Sequence, residues 1–278
     1  MAPLKINIAG LALEIPTEPL TPAAFKPFGE VLENPHPDLA PGTAAAADAV
    51  ASSALPFNAV AANQGSAIKY QHISRPLDLY AQAPSKTASA AVLNMFVCGS
   101  RTLSRTAPFQ SPSGAAPACP AKPSFFAVKI LERHPYTSQT FIPLRTPRAS
   151  ARFLVLVAPS LSEADGGLGH RDMPVPANVP LAHPWALPGA GLPDLRRLRA
   201  FVATPEQAVT YGAGTWHAPM VVLGEPGQAI SFVVTQFANG VAAEDCQEVE
   251  FEAGEGEGVW VRIDTSEKGL WKKPTAKL

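Results

Sequence analysis

Residues 131–144 read LERHPYTSQTFIPL. Apart from its polar residues, the stretch alternates as a strand does, and successive strand side chains point to opposite faces. Glu132 and His134 are two apart and share a face, while Arg133 between them takes the other. Gln139 follows across a gap long enough for a tight turn, so the polar positions read Glu-x-His-x4-Gln. Polar groups are costly to bury, and a chain that is 46% hydrophobic has gathered several of them here. If the shared face points into a closed sheet, these groups project together into its interior.

The neighbouring sequence supports a closed sheet. AVLNMFVCG (91–99) and FFAVKILERHP (125–135) carry the β-branched and aromatic content of strands. RFLVLVAPS (152–160) is a nearly continuous apolar run of strand length, as expected of a strand buried on both faces. Further strands are expected within 195–204, 208–224, 229–237, 249–252 and 259–263. Thirty prolines and twenty glycines punctuate the chain, and proline is poorly suited to helix interiors. Many short strands between Gly/Pro turns predict an all-β sandwich or barrel with a few short helices. One such helix is expected near residue 22, where Thr21 can cap and Pro22 suits the first position. Residues 35–55 read as a surface loop. Two Pro/Gly/Ser-rich insertions are expected at about 100–124 and 162–193, within a single domain over 1–278.

Composition excludes several classes of function. Lys+Arg number 22 against 23 Asp+Glu, without the basic excess of a nucleic-acid binder. No apolar run approaches the roughly 20 residues of a membrane span. The three cysteines, Cys98, Cys119 and Cys246, are odd in number and far apart, so neither a zinc knuckle nor a disulfide framework is indicated. The N-terminus lacks the pattern of a signal peptide. The terminal Ala276-Lys277-Leu278 resembles a peroxisomal address of the S-K-L type. The expected compartment is the peroxisome or the cytoplasm.

A second polar node lies at Tyr211-Gly-Ala-Gly-Thr-Trp-His217, where two glycines make a tight turn before His217 enters a strand. The two nodes together resemble the paired motifs of the cupin superfamily, in which His-x-His-x4-Glu precedes a Gly-x-x-His turn. Here Glu132 and Gln139 stand where many cupins have His and Glu. Glu132, His134, Gln139 and His217 can together offer oxygen and nitrogen to a divalent metal. Such a set suits a borderline ion such as Ni or Mn.

The wording is more specific than a generic cupin. LERHPYTSQTFIPL resembles the ureidoglycolate lyase family, whose hallmark is close to ERHP followed by SQ-x-F-x-P. PDLRRLRAFVAT (193–204), EQAVTYGAGTWHAPM (206–220), the pair Asp245-Cys246 and ANQGSAIKY (62–70) agree in the same order, over about residues 17–252. The resemblance implies a cupin-like jelly-roll barrel, a homodimer, and the splitting of ureidoglycolate into glyoxylate and urea in ureide catabolism. Lys69 stands where many members have Arg, which keeps the charge but loses the bidentate fork.

The reaction needs a base for the carbinol hydroxyl, an acid for the leaving urea nitrogen and donors for the carboxylate. Glu132 or His217 is expected as the base, with His134 as acid or metal ligand. Gln139 is expected on the ureido group or the metal. Lys69 is expected to clamp the carboxylate, helped by Asn63, Gln64 and the Gly65 backbone. Trp216 is expected at the pocket mouth, with weaker roles for Tyr70 and His72. Arg133 is expected in a salt bridge on the barrel exterior or at a dimer interface. Two alternatives stand beside the lyase. One is another small-molecule cupin enzyme, an oxygenase or isomerase, and the other is a ligand-binding cupin without catalysis.

Overall fold

The computed structural model describes residues 2–106, 108, 123–144, 151–162, 164, 170, 172–180 and 186–264. Much of both expected insertions, Cys119 and the terminal tripeptide 276–278 lie outside the described residues. The architecture is all-β and cupin-like.

Among the described residues, ten strands make one large sheet. They are β1 (Leu4–Asn7), β2 (Ala12–Pro19), β7 (Ser124–Val128), β8 (Ile130–Arg133), β10 (Arg152–Ala158), β11 (Arg199–Ala203), β13 (Trp216–His217), β14 (Val221–Leu223), β16 (Gln247–Glu252) and β17 (Gly258–Ile263). A five-stranded sheet packs against it in the order β3 (Gly29–Leu32), β12 (Ala208–Tyr211), β9 (Gln139–Pro143), β15 (Ala229–Ala238) and β6 (Ala90–Gly99). A hairpin of β4 (Val60–Ala62) and β5 (Ala67–Lys69) stands apart from both sheets.

The continuous apolar run of β10 explains how the layers assemble. Phe153, Val155 and Val157 belong to the core between the two sheets, with Phe141, Val209 and Phe232. The alternate residues Leu154, Leu156 and Ala158 belong to a second core with Leu131, Trp216, Val249, Val259 and Val261. Most of that second core comes from the large sheet, whose β17 and β7 end returns over its other face, with Met173, Leu198 and Ala218 added from the connections. Burying a side chain of this size stabilises by roughly 1.5–3 kcal/mol, and β10 contributes on both faces.

The helix α1 (Pro22–Phe25) forms where expected, with Thr21 Oγ1 accepting from Ala24 N at 3.2 Å. The reading of 35–55 as a loop needs correction, since α2 (Ala44–Ala51) lies within it. Its alanines carry the highest helix propensity, and Thr43 caps it by accepting from Ala46 N at 3.2 Å. No helix among the described residues is long and apolar enough to cross a membrane.

Candidate functional site

The antiparallel pairing of β8 with β13 sets His217 directly opposite Glu132. Alternation sends Leu131 to the second core and Glu132 to the inter-sheet side. His217 turns to the same side, where the Tyr211 ring stacks on it with centroids 3.9 Å apart and planes 9° apart. The turn between Tyr211 and His217 is bound to the first node, because Gly214 N donates to the His134 carbonyl at 2.9 Å. Gly214 has φ +77°, a left-handed conformation that favours glycine.

Both imidazoles are fixed from behind. His134 Nδ1 lies 2.6 Å from the Asp245 carbonyl and His217 Nδ1 lies 2.9 Å from the Thr215 carbonyl. A carbonyl can only accept, so each Nδ1 carries the proton and each Nε2 presents a lone pair. Neither Nε2 has a hydrogen-bond partner, and both are buried. Leaving a buried polar atom unpaired costs about 1–3 kcal/mol. Glu132 Oε1 stands 3.6 Å from His217 Nε2, too far for a hydrogen bond. One ligand atom from each of Glu132, His134 and His217 falls within 4.8 Å of the others. Bonds of about 2 Å to a common ion would close these gaps. Two orphaned imidazole nitrogens beside a carboxylate therefore fit a divalent metal.

The electrostatics agree with that use. Burial, and then the neighbouring His217, push His134 down to about 4, so it stays neutral and able to ligate. Burial raises the Glu132 carboxyl, but His217 and then His134, wherever either imidazole carries a second proton, outweigh it and leave the group below its usual value. The Glu132 side chain is 18% exposed against 1% for His217, so the carboxylate is the side of the cluster open to solvent.

The structure places the other expected residues as follows. Gln139 opens β9 opposite Tyr211, and its Nε2 donates to Gln236 Oε1 at 2.6 Å. Its Oε1 is buried without a partner. Trp216 is corrected: it is fully buried in the second core, on the face opposite His217, and its Nε1 donates to the Gly191 carbonyl. One position along a strand is enough to reverse a side chain, which removes Trp216 from a pocket mouth. Asn63, Gln64 and Gly65 form the exposed tip of the β4–β5 hairpin. Lys69 and Tyr70 line a cleft of about 540 Å³ with Leu32, Ile142, Pro143 and Ala208. That cleft is at the Pro143–Ala208 end of the β9–β12 pair, roughly 10 Å along the strands from the Gln139–Tyr211 end. Among the described residues, no hydrogen bond or ion pair joins Asn63, Gln64, Gly65 or Lys69 to the Glu132, His134 and His217 cluster, so within one chain the expected clamp stands apart from it. His72 is exposed and outside the cluster.

Arg133 does take the opposite face, but the expected surface salt bridge is corrected too. It is completely buried, lies over the Trp216 ring at 4.4 Å, and has only neutral acceptors among the described residues.

Sequence reasoning missed Tyr80, Tyr211 and Glu248. Tyr80 donates to the Asp245 carboxylate at 2.7 Å, which also caps Asn239 N and Gly240 N. This holds the turn whose carbonyl orients His134. Glu248 is the direct partner of Glu132 across β8 and β16. No local pattern could have announced it, because the pairing spans more than a hundred residues.

Comparison with known families matches residues 12–256 to the family described as ureidoglycolate lyase. Curated relatives carry the same description. One from Schizosaccharomyces pombe is 31% identical over 236 residues, covering 85% of this chain and 91% of the relative. One from Saccharomyces cerevisiae is 34% identical over 166 residues, covering 59% and 63%. One from Burkholderia mallei is 27% identical over 208 residues, covering 75% of each.

Proposed function

Because the chain belongs to the ureidoglycolate lyase family, we propose that it splits ureidoglycolate into glyoxylate and urea at the Glu132, His134 and His217 cluster. The observation that carries the placement is the pair of buried, unpartnered Nε2 atoms converging with one solvent-facing carboxylate.

The substrate carbon carries a carboxylate, a hydroxyl and a ureido nitrogen. Cleavage removes the hydroxyl proton, turns the C–O bond into the aldehyde C=O, and breaks the C–N bond toward nitrogen. Glu132 is the base, since its carboxylate is held ionised and its Oε2 is not the oxygen turned to His217. Having taken the hydroxyl proton, Glu132 is placed to return it to the leaving nitrogen, so the protons balance. His134 is a poor acid near neutral pH, because its proton sits on Nδ1 against the Asp245 carbonyl. Gln139 accepts a ureido N–H at its free Oε1. Glu132, His134 and His217 would hold a divalent ion such as Ni or Mn, which when bound lowers the pKa of the substrate hydroxyl and neutralises its carboxylate.

The test is release of urea and glyoxylate from ureidoglycolate by the purified protein, before and after exhaustive chelation. Turnover should fall to background with chelator and return on adding Ni or Mn. Full activity after chelation would remove the metal from the proposal, and no product under either condition would remove the reaction.

A second copy of the chain is the occupant we propose for the outer face of β6. Leu93, Met95 and Val97 are 72%, 57% and 68% exposed and share that face by alternation. The strand ends the five-stranded sheet, and apolar edge strands left open invite pairing and aggregation. Sedimentation should show a dimer that Met95→Lys converts to monomer. A wild-type monomer at micromolar concentration would contradict this.

A further inference from the structure

We propose that the β4–β5 hairpin of each protomer closes the cavity of a second copy and brings Lys69 to the substrate carboxylate there, which rests on the lyase reading and on the second copy placed at β6.

The register of the five-stranded sheet shows where the hairpin stands. Val209, Phe141, Val234 and Phe232 face the core between the sheets. By alternation Leu32, Ala208, Ile142, Val233 and Met95 form one row across the outer face. Lys69, Tyr70 and Ile73 line the cleft over the Leu32 and Ile142 end of that row. Ser74 Oγ lies 3.4 Å from Thr210 Oγ1 on the same face. The Met95 end is open, with Leu93 and Val97 exposed beside it.

Sheets packed face to face lie about 10 Å apart. A second copy laid on Leu93, Met95 and Val97 therefore enters the layer in which the hairpin already stands. A two-fold axis running along the strands makes this contact self-complementary. It sets each hairpin beside the β6 edge of the other copy. That edge borders the cavity. Phe96 lies opposite Phe232 and shares its inner face, yet is 44% exposed. Val92 lies opposite Gln236, whose Oε1 accepts from Gln139. Asn94 is exposed between them, so the sandwich is open along β6.

Charge complements the geometry. Glu132 and Glu248 face each other across β8 and β16. Among the described residues, neither has a Lys or Arg ion pair. Arg133 is buried on the other face. Within one chain an anionic substrate therefore meets carboxylates and no cationic side chain. Lys69 is the one cation of residues 60–69, is exposed, and has no ion pair among the described residues. Phe57 and Val60, on and just before the hairpin, are exposed apolar groups that docking would cover.

The test is subunit complementation. His217→Asn and Lys69→Ala chains with different affinity tags are expressed together, and the mixed dimer is isolated through both tags. Lys69→Ala alone should lower kcat/KM by about 10- to 100-fold, chiefly through KM, the range for losing a hydrogen bond to a charged group. Lys69→Arg should restore it. At limiting substrate the mixed dimer should work at about half the wild-type rate, because one of its two equivalent cavities has both His217 and the other chain's Lys69 intact. A mixed dimer no faster than the average of its parents overturns the shared cavity. So does a wild-type monomer that turns over substrate, or Lys69→Ala activity equal to wild type. Carbodiimide coupling of mixed isotope-labelled and unlabelled wild-type chains gives a readout without turnover, and should join Lys69 to Glu132 or Glu248 of the other chain. Such cross-links without turnover remove the lyase reading and leave the docked hairpin. Turnover without complementation removes the shared cavity alone, and the absence of both turnover and cross-links removes both.

Discussion

His217→Asn is expected to lower kcat/KM for ureidoglycolate by about 10²-fold or more, since losing an imidazole that would hold the metal beside the base costs at least the roughly 10- to 100-fold of losing an outer supporting group. Three contacts give His217 its single orientation. The Thr215 carbonyl takes its Nδ1 proton, Tyr211 stacks on its ring, and the Cα register with Glu132 aims Nε2 at the carboxylate. Asparagine keeps a polar side chain in the space but does not extend a ring nitrogen to Glu132 and His134. The measurement is product release under saturating and limiting substrate, with thermal unfolding in parallel. Activity within tenfold of wild type, in a folded variant, would mean that the reaction runs elsewhere.

The largest effect on stability is expected from Arg133→Ala. The guanidinium donates from Nε to Gln247 at 2.8 Å, from Nη1 to the Gly189 and Gly191 carbonyls, and from Nη2 to the Ala190 carbonyl. Four hydrogen bonds at about 1 kcal/mol each, with unpaired acceptors left behind, put the loss on the order of 4 kcal/mol. The stacking on Trp216 is lost as well. Burial lowers the group only to about 10, so it remains charged at neutral pH. Arg133→Lys should recover only part of the loss, because one ammonium cannot span acceptors on several sides. Urea unfolding with linear extrapolation measures both. A loss below about 1 kcal/mol for alanine would show that residues 189–191 are held by other contacts.

These two residues are near neighbours in the same pair of strands, yet one is chemical and the other structural. The difference was legible in part. Period-two alternation alone separates Arg133 from Glu132 and His134, and the structure keeps that separation. The fate of Arg133 was not legible. Its buried acceptors come from residues 189–191 and Gln247, which no local pattern connects to residue 133. Trp216 shows the same limit, since its reading as a pocket residue followed its neighbour in sequence rather than its face. The α2 helix was missed because an Ala-rich run without apolar periodicity resembles a loop until its Thr43 cap is seen.

What the sequence by itself determined is local: the strand character, the double burial of β10, the capped α1, the shared face of Glu132 and His134, and the tight turn before His217. Each follows from propensity and from the two-residue repeat of a strand, which need no knowledge of the partner. What only the tertiary structure decided is register and neighbourhood. His217 and Glu248 both come to Glu132, Tyr211 to His217 and Asp245 to His134, while Lys69 goes to a separate cleft. The reason is that pairing between distant strands is chosen by the burial of both cores at once. A one-residue slip would exchange every side chain between the two faces, so the whole assembly selects which polar groups meet.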